Sequence, residues 1–199
     1  FTDGRTPLQL AEEKKLIPNS FAAPCSHFLK QVPFKNFLES HDKPVTVHLG
    51  LDFTEQHRHG KPKEIYEAIE GVSVDFPLMW KPYAYMGYQK VVEEWGIKPP
   101  RLYSYGFPHN NCGGRCVRQG ASEWIRLLKH FPERFKEVRD WEKSYQTPGT
   151  PRENRTILKQ SVGGKSEPLS LIDLENQNKT TQIDMFTYQG DEFGCFCEY

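Results

Sequence analysis

Two periods of apolar and polar positions run along this chain. Ala121, Trp124, Ile125, Leu128, Phe131 and Phe135 recur at three- and four-residue spacing. That spacing puts them on one face of an amphipathic helix, or of two helices joined at Pro132. Val45-Thr46-Val47-His48-Leu49 is instead β-branched and apolar between Pro44 and Gly50, the pattern of a short strand. Gly71–Phe76 gives a second strand. Helical patterns cover Leu8–Lys15, Ser26–Ser40 with a bend or restart at Pro33, and Tyr88–Trp95, which stops at Gly96 ahead of Pro99-Pro100. Between Gln146 and Glu153, Pro, Gly and Thr mark a linker. Beyond it a polar stretch carries one apolar patch, Leu169–Leu174, before a cysteine-bearing tail.

Strands separated by helices predict an α/β fold with a parallel sheet. A parallel sheet is buried on both faces and needs more strands than the two or three this pattern yields. Part of the sheet is therefore expected from an upstream segment or a partner chain. The opening Phe1-Thr2-Asp3-Gly4-Arg5, which reads as a loop, agrees with a missing upstream segment. The expected organisation is one folded domain over residues 1–145, followed by a linker and cysteine-bearing tail over 146–199 that packs back on a metal site.

Charge changes this picture little. Twenty-six basic residues balance twenty-six acidic ones, so bulk electrostatics do not advertise a nucleic-acid or anionic-membrane partner. No apolar run reaches the roughly 20 residues that cross a bilayer, and no signal-peptide pattern opens the chain. The expectation is a cytoplasmic protein with no membrane partner.

Candidate chemistry gathers in three places. Gly50-Leu51-Asp52-Phe53-Thr54-Glu55-Gln56-His57-Arg58 follows directly on the first strand. Ligands of open α/β sheets bind just beyond the carboxyl ends of strands, and an arginine there can fork onto phosphate oxygens. An ordinary polar loop is the alternative. Cys112-Gly113-Gly114-Arg115-Cys116 forms a tight cysteine knuckle, and Cys195-Phe196-Cys197 adds a second pair. Two clustered pairs among five cysteines suit thiolate metal ligands in a reducing compartment better than a secreted disulfide framework, although buried free cysteines also occur. Zinc and an iron–sulfur cluster fit such a set equally. Cys25, at a helix start, is a further ligand candidate, and Lys30 stands close behind it to meet a phosphate. Ser161-Val162-Gly163-Gly164-Lys165-Ser166 ends like a P-loop but carries Lys159 where that motif needs its first glycine. It reads as a flexible basic turn.

These segments together resemble a group of phage and bacterial proteins of the PP-loop ATP pyrophosphatase and PAPS reductase-like (adenine nucleotide alpha-hydrolase-like) superfamily. The likeness rests on Asp3-Gly4-Arg5-Thr6-Pro7, Pro24-Cys25-Ser26 with Leu29-Lys30, Gly50–Arg58, Gly106–Cys116, Phe131–Arg134, Gly163–Leu169 and the cysteine-rich end. It implies a Rossmann-like parallel sheet, incomplete in this chain. It also implies binding of ATP or a related adenylyl nucleotide with magnesium, and either cleavage at the alpha-phosphate or reduction or transfer of sulfur. Gly50, Asp52, Glu55 and Arg58 would line the nucleotide site. Arg58 and Lys30 would stabilise phosphoryl charge, and Glu55 would hold Arg58 or help coordinate the magnesium. Cys112, Cys116, Cys195 and Cys197 would carry zinc or a 4Fe–4S cluster. Asp52 stands where many reductases have arginine, which departs from their sulfonucleotide specificity. The superfamily's Ser-Gly-Gly-x-x-Ser phosphate loop is absent from the sequence, so an N-terminal segment or partner chain is expected to supply it, the third alternative being a degenerate protein that no longer turns over. Two rival readings are a non-catalytic metal-stabilised module of a larger assembly and a nucleic-acid sulfur-modification factor. In the latter, Arg115, Arg118, Arg126 and Lys129 would line a groove.

Overall fold

The computed structural model describes residues 4–80 and 88–180, with side chains over 4–80 and 91–179. Helix α1 (Pro7–Glu13) starts on Thr6, which accepts from the Gln9 backbone N–H at 3.2 Å while the Gln9 side chain accepts from Thr6 at 2.8 Å, a reciprocal cap. A π-helical turn (His27–Gln31) runs into α2 (Val32–Ser40), with Pro33 in the first turn of α2. Then come β1 (Val45–His48), a 3₁₀ turn (Phe53–Arg58), α3 (Gly60–Glu67), β2 (Val72–Asp75), α4 (Tyr88–Glu94) and α5 (Arg101–Ser104). They are followed by α6 (Ala121–His130), α7 (Pro132–Tyr145), β3 (Leu158–Val162), β4 (Lys165–Leu169) and α8 (Leu171–Thr180). The fold is mixed α/β. Among the described residues no helix is long and apolar enough to cross a membrane.

The chain divides into two compact units. The first covers the described residues from Ser26 to Pro99, with Gly4; the second joins Arg5–Cys25 to the described residues from Pro100 onward. This division falls elsewhere than the linker read between Gln146 and Glu153, because residues beyond that segment share a core with the helices before it.

In the first unit β1 and β2 pair in parallel, Val45 opposite Val72 through His48 opposite Asp75, and α3 lies on the crossover between them. Alternation places Val47, Val72 and Val74 on one face, packed with Leu38 and Tyr66. Thr46 and Ser73 occupy the other face, where they are exposed and hydrogen-bonded to each other at 3.0 Å. A parallel pair covered on one face alone is unusual.

In the second unit the helical apolar stripe becomes α6 and α7, broken at Pro132. Trp124, Leu127, Phe135 and Val138 are fully buried beside Ile157, Leu169 and Leu171. Glu142 shares that face at 1% exposure, accepting the backbone N–H groups of Ile157 and Leu171 at 2.7 Å each. Trp141 Nε1 and the Tyr145 hydroxyl donate to Glu12 Oε1 and the Glu12 carbonyl, at 2.8 and 2.9 Å, so α1 docks on α7.

The turn expected at Ser161–Ser166 is present as the tip of an antiparallel hairpin, β3 with β4. Gly163 and Gly164 have φ of 57° and 78°, the two left-handed positions that a tight hairpin turn demands and that glycine adopts freely.

Candidate functional site

β1 and β2 end in register at His48 and Asp75, so the residues that follow both strands share the carboxyl edge of the sheet. Asp75 Oδ1 accepts from the Phe76 backbone at 2.7 Å and from Trp80 Nε1 at 3.3 Å. His48 Nδ1 lies 3.9 Å from Asp75 Oδ2, and its ring meets Trp80 edge-on with centroids 6.1 Å apart. None of these residues was singled out from the sequence. The rule that strand ends bear ligands was a signal for them at β2 as much as at β1.

Beyond β1, Leu51 is buried and anchors the loop. Asp52 then reverses the chain: its Oδ1 accepts from the Thr54 backbone at 2.7 Å and from the Thr54 hydroxyl at 2.6 Å. That cap starts the 3₁₀ turn, on which Glu55 and Arg58 stand three positions apart. Arg58 Nη1 donates to Glu55 Oε1, with the Arg58 side chain 17% exposed and that of Glu55 34%. His59 follows, its ring stacked on Phe76 at 4.0 Å and 7°. Its Nε2 is buried with no hydrogen-bond partner among the described residues. The His59–Phe76 stack ties the end of the Arg58 turn to the segment leaving β2.

Gly50, Asp52, Glu55 and Arg58 thus lie on one folded loop at the strand ends. At Gly50 an added Cβ would find only Leu78 Cδ1, at 4.0 Å, so local packing does not require glycine there. Lys30 is exposed on the π-helical turn and forms no ion pair among the described residues.

The cysteine knuckle lies in the second unit. Cys112 and Gly113 take left-handed φ of 51° and 62° within the 3₁₀ turn Asn111–Gly114. Arg134 Nη1 donates to the Gly113 carbonyl at 2.9 Å and Gln119 Nε2 to the Gly114 carbonyl at 2.8 Å. Gly114 is buried, and a Cβ there would stand 2.9 Å from Leu127 Cδ1, so the knuckle is pinned on α6. Cys112 is exposed and Cys116 half-buried. Cys25 opens the helical segment that leads into the π-turn. Cys25 is half-buried. Among the described residues no three His, Cys, Asp or Glu side chains converge as metal ligands. Cys195 and Cys197 lie outside the described residues.

Compared with protein-family models, curated proteins and solved structures, the chain matches none.

Proposed function

We propose that residues 26–80 form the phosphate-binding part of an adenine-nucleotide site of the PAPS reductase-like, adenine nucleotide alpha-hydrolase type. On this reading β1 and β2 belong to a larger Rossmann-like parallel sheet. The observation that carries it is Arg58, mostly buried and held by Glu55 on a capped turn just past a parallel strand. A carboxylate-held guanidinium keeps its fork in a fixed plane, which suits phosphate oxygens.

The chemistry proposed is attack at the alpha-phosphate with departure of pyrophosphate, or reduction or transfer of sulfur on an adenylyl nucleotide. Arg58 would offset the negative charge that grows on the phosphoryl oxygens, Glu55 would orient it, and Lys30 would add a second positive charge. Asp52 and Glu55 already bind Thr54 and Arg58, and no three-donor group exists among the described residues. Glu55 would hold Arg58 or help coordinate a magnesium ion, which one or two carboxylates bind together with a nucleotide's phosphates. The Ser-Gly-Gly-x-x-Ser phosphate loop would come from an N-terminal segment or a partner chain. Cys112 and Cys116 make half of the four-thiolate set that zinc or a 4Fe–4S cluster takes, with Cys195 and Cys197 proposed to complete it.

Calorimetric titration of ATP, with and without magnesium, into the full chain and into Arg58→Ala and Arg58→Lys tests the reading. Losing a charged hydrogen bond costs about 1.5–3 kcal/mol, so Arg58→Ala should weaken binding about tenfold or more. Arg58→Lys keeps charge without the fork and should fall between. Equal affinity in Arg58→Ala removes Arg58 from the site. A folded chain that binds no adenine nucleotide leaves the second reading, a non-catalytic module completed by a larger assembly. The exposed polar pair Thr46 and Ser73 favours that reading, since among the described residues no buried apolar side chain lies on that face of the sheet.

A further inference from the structure

The second unit carries a charge asymmetry that the balanced chain conceals. Residues 100–137 contain seven Lys or Arg and three Asp or Glu. The structure gathers several of these cations on aromatic rings. Arg134 lies 4.8 Å and Arg101 5.5 Å from the centre of the Phe131 ring, and Arg126 lies 5.7 Å from that of Phe107. Tyr105 joins the same group, its ring 5.0 Å from both His130 and Phe131.

These arginines are little used by carboxylates. Arg101 is exposed and forms no ion pair among the described residues; Arg134 donates to the Gly113 carbonyl; Arg126 reaches Glu123 only at 3.9 Å. Aromatic packing covers one side of each guanidinium and leaves its N–H edge directed elsewhere. Tyr105 and Tyr103 are 37% and 40% exposed, so aromatic surface sits open to solvent among the cations. Structural packing alone does not call for exposed tyrosines interleaved with weakly paired arginines.

We infer that the face formed by Arg101, Tyr105, Arg126, His130, Phe131 and Arg134 binds single-stranded nucleic acid. The arginines meet phosphates through their forks, and the open tyrosine faces stack on unpaired bases, the combination that holds single strands with little regard to sequence. An unpaired strand is favoured over a duplex because a duplex offers phosphates but hides its base faces. This face belongs to the second unit and the loop at Arg58 to the first.

The test is fluorescence anisotropy of the full chain with a labelled oligonucleotide of about 16 residues. Single-stranded RNA, single-stranded DNA and duplex DNA of the same length are compared over a range of salt. At least one single strand should bind about tenfold or more tighter than the duplex, as expected when base stacking contributes. Arg101→Gln with Arg126→Gln should weaken binding and lower the slope of log affinity against log salt by about 1.4, roughly 0.7 for each lost phosphate contact. Tyr105→Leu should weaken binding while leaving that slope unchanged. Arg101→Gln alone, at an exposed position, repeats the slope test with half the effect if the double variant fails to fold. Absence of saturable binding, equal affinity for the duplex, or a salt slope unchanged in folded arginine variants would overturn the inference.

Discussion

Glu142 is the residue whose replacement should most disturb the second unit. Its carboxylate sits at 1% exposure and closes two backbone ends at once, the N–H of Ile157 ahead of β3 and that of Leu171 opening α8, each at 2.7 Å. Glu142→Ala leaves both donors unpaired in the core. A buried unsatisfied group costs about 1–3 kcal/mol, so the pair costs about 2–6 kcal/mol, and the truncated side chain adds a void. For a chain of this length each kcal/mol moves Tm by roughly 2–4 °C, giving a drop of roughly 5–20 °C. Glu142→Gln keeps the volume and one carbonyl acceptor, but turns an NH₂ toward a donor, so it should lose about half as much. The pH dependence separates two opposed effects. Burial raises the Glu142 pKa above the ordinary 4.5, and the two backbone donors pull it down by less. The folded state therefore keeps a proton that the unfolded chain has released. Stability from this group is fully present below the unfolded value and is lost as pH rises through the raised folded value. The advantage of wild type over Glu142→Gln should shrink upward through that window and level off once both states are ionised. Urea melts followed by tryptophan fluorescence and circular dichroism measure it, with Trp124 and Trp141 reporting from the same unit. An alanine variant within about 0.5 kcal/mol of wild type, or an advantage that grows with pH, would refute the reasoning.

Glu175 should show the opposite pH sign. Its hydrogen bonds to Lys179 and then Arg139 lower its pKa, so its stabilisation is present above the ordinary carboxylate value and lost as pH falls through the lowered folded one. Glu175→Gln should cost under about 1 kcal/mol at neutral pH, since solvent reaches the pair, and nothing in acid, as read by paired melts. Gly164→Val forces a β-branched residue to a φ of 78°; a left-handed residue costs about 1–2 kcal/mol, so the melting temperature should fall more than for Gly60→Val, where φ is not left-handed and an added Cβ meets open space. On the metal reading, anaerobically purified chain should hold zinc or iron that Cys112→Ser and Cys116→Ser each lose, as judged by metal analysis and the visible spectrum. Metal retained in both variants would move the site elsewhere.

β1 was legible because Val45–Leu49 is β-branched between two breakers, and the α6–α7 break because Pro132 interrupts an otherwise continuous stripe. The β3–β4 hairpin was not. Of its residues only Leu158 and Leu169, at the open ends, are buried, so no alternation marked it, and Gly163-Gly164 was weighed as a phosphate loop before it was weighed as a turn. At the site, pairing with Arg58 was one of two roles that the resemblance implied for Glu55, and the step of three positions on one turn is what lets the two side chains meet. Asp52 read as a specificity position, whereas its side chain serves the backbone and hydroxyl of Thr54. Glu142 escaped notice because it is charged, although its spacing from Phe135 and Val138 places it on their buried face. The arginine–aromatic cluster depends on α5, which lies more than twenty residues before Phe131; such long-range packing leaves no local pattern.

Hydrogen–deuterium exchange on the full chain, with and without ATP and magnesium, bears most directly on the nucleotide reading because it locates the ligand. Slower exchange over residues 49–60 and 75–80, the loops leaving β1 and β2, is the expected result. Protection confined to the second unit, or none at saturating nucleotide, would contradict it.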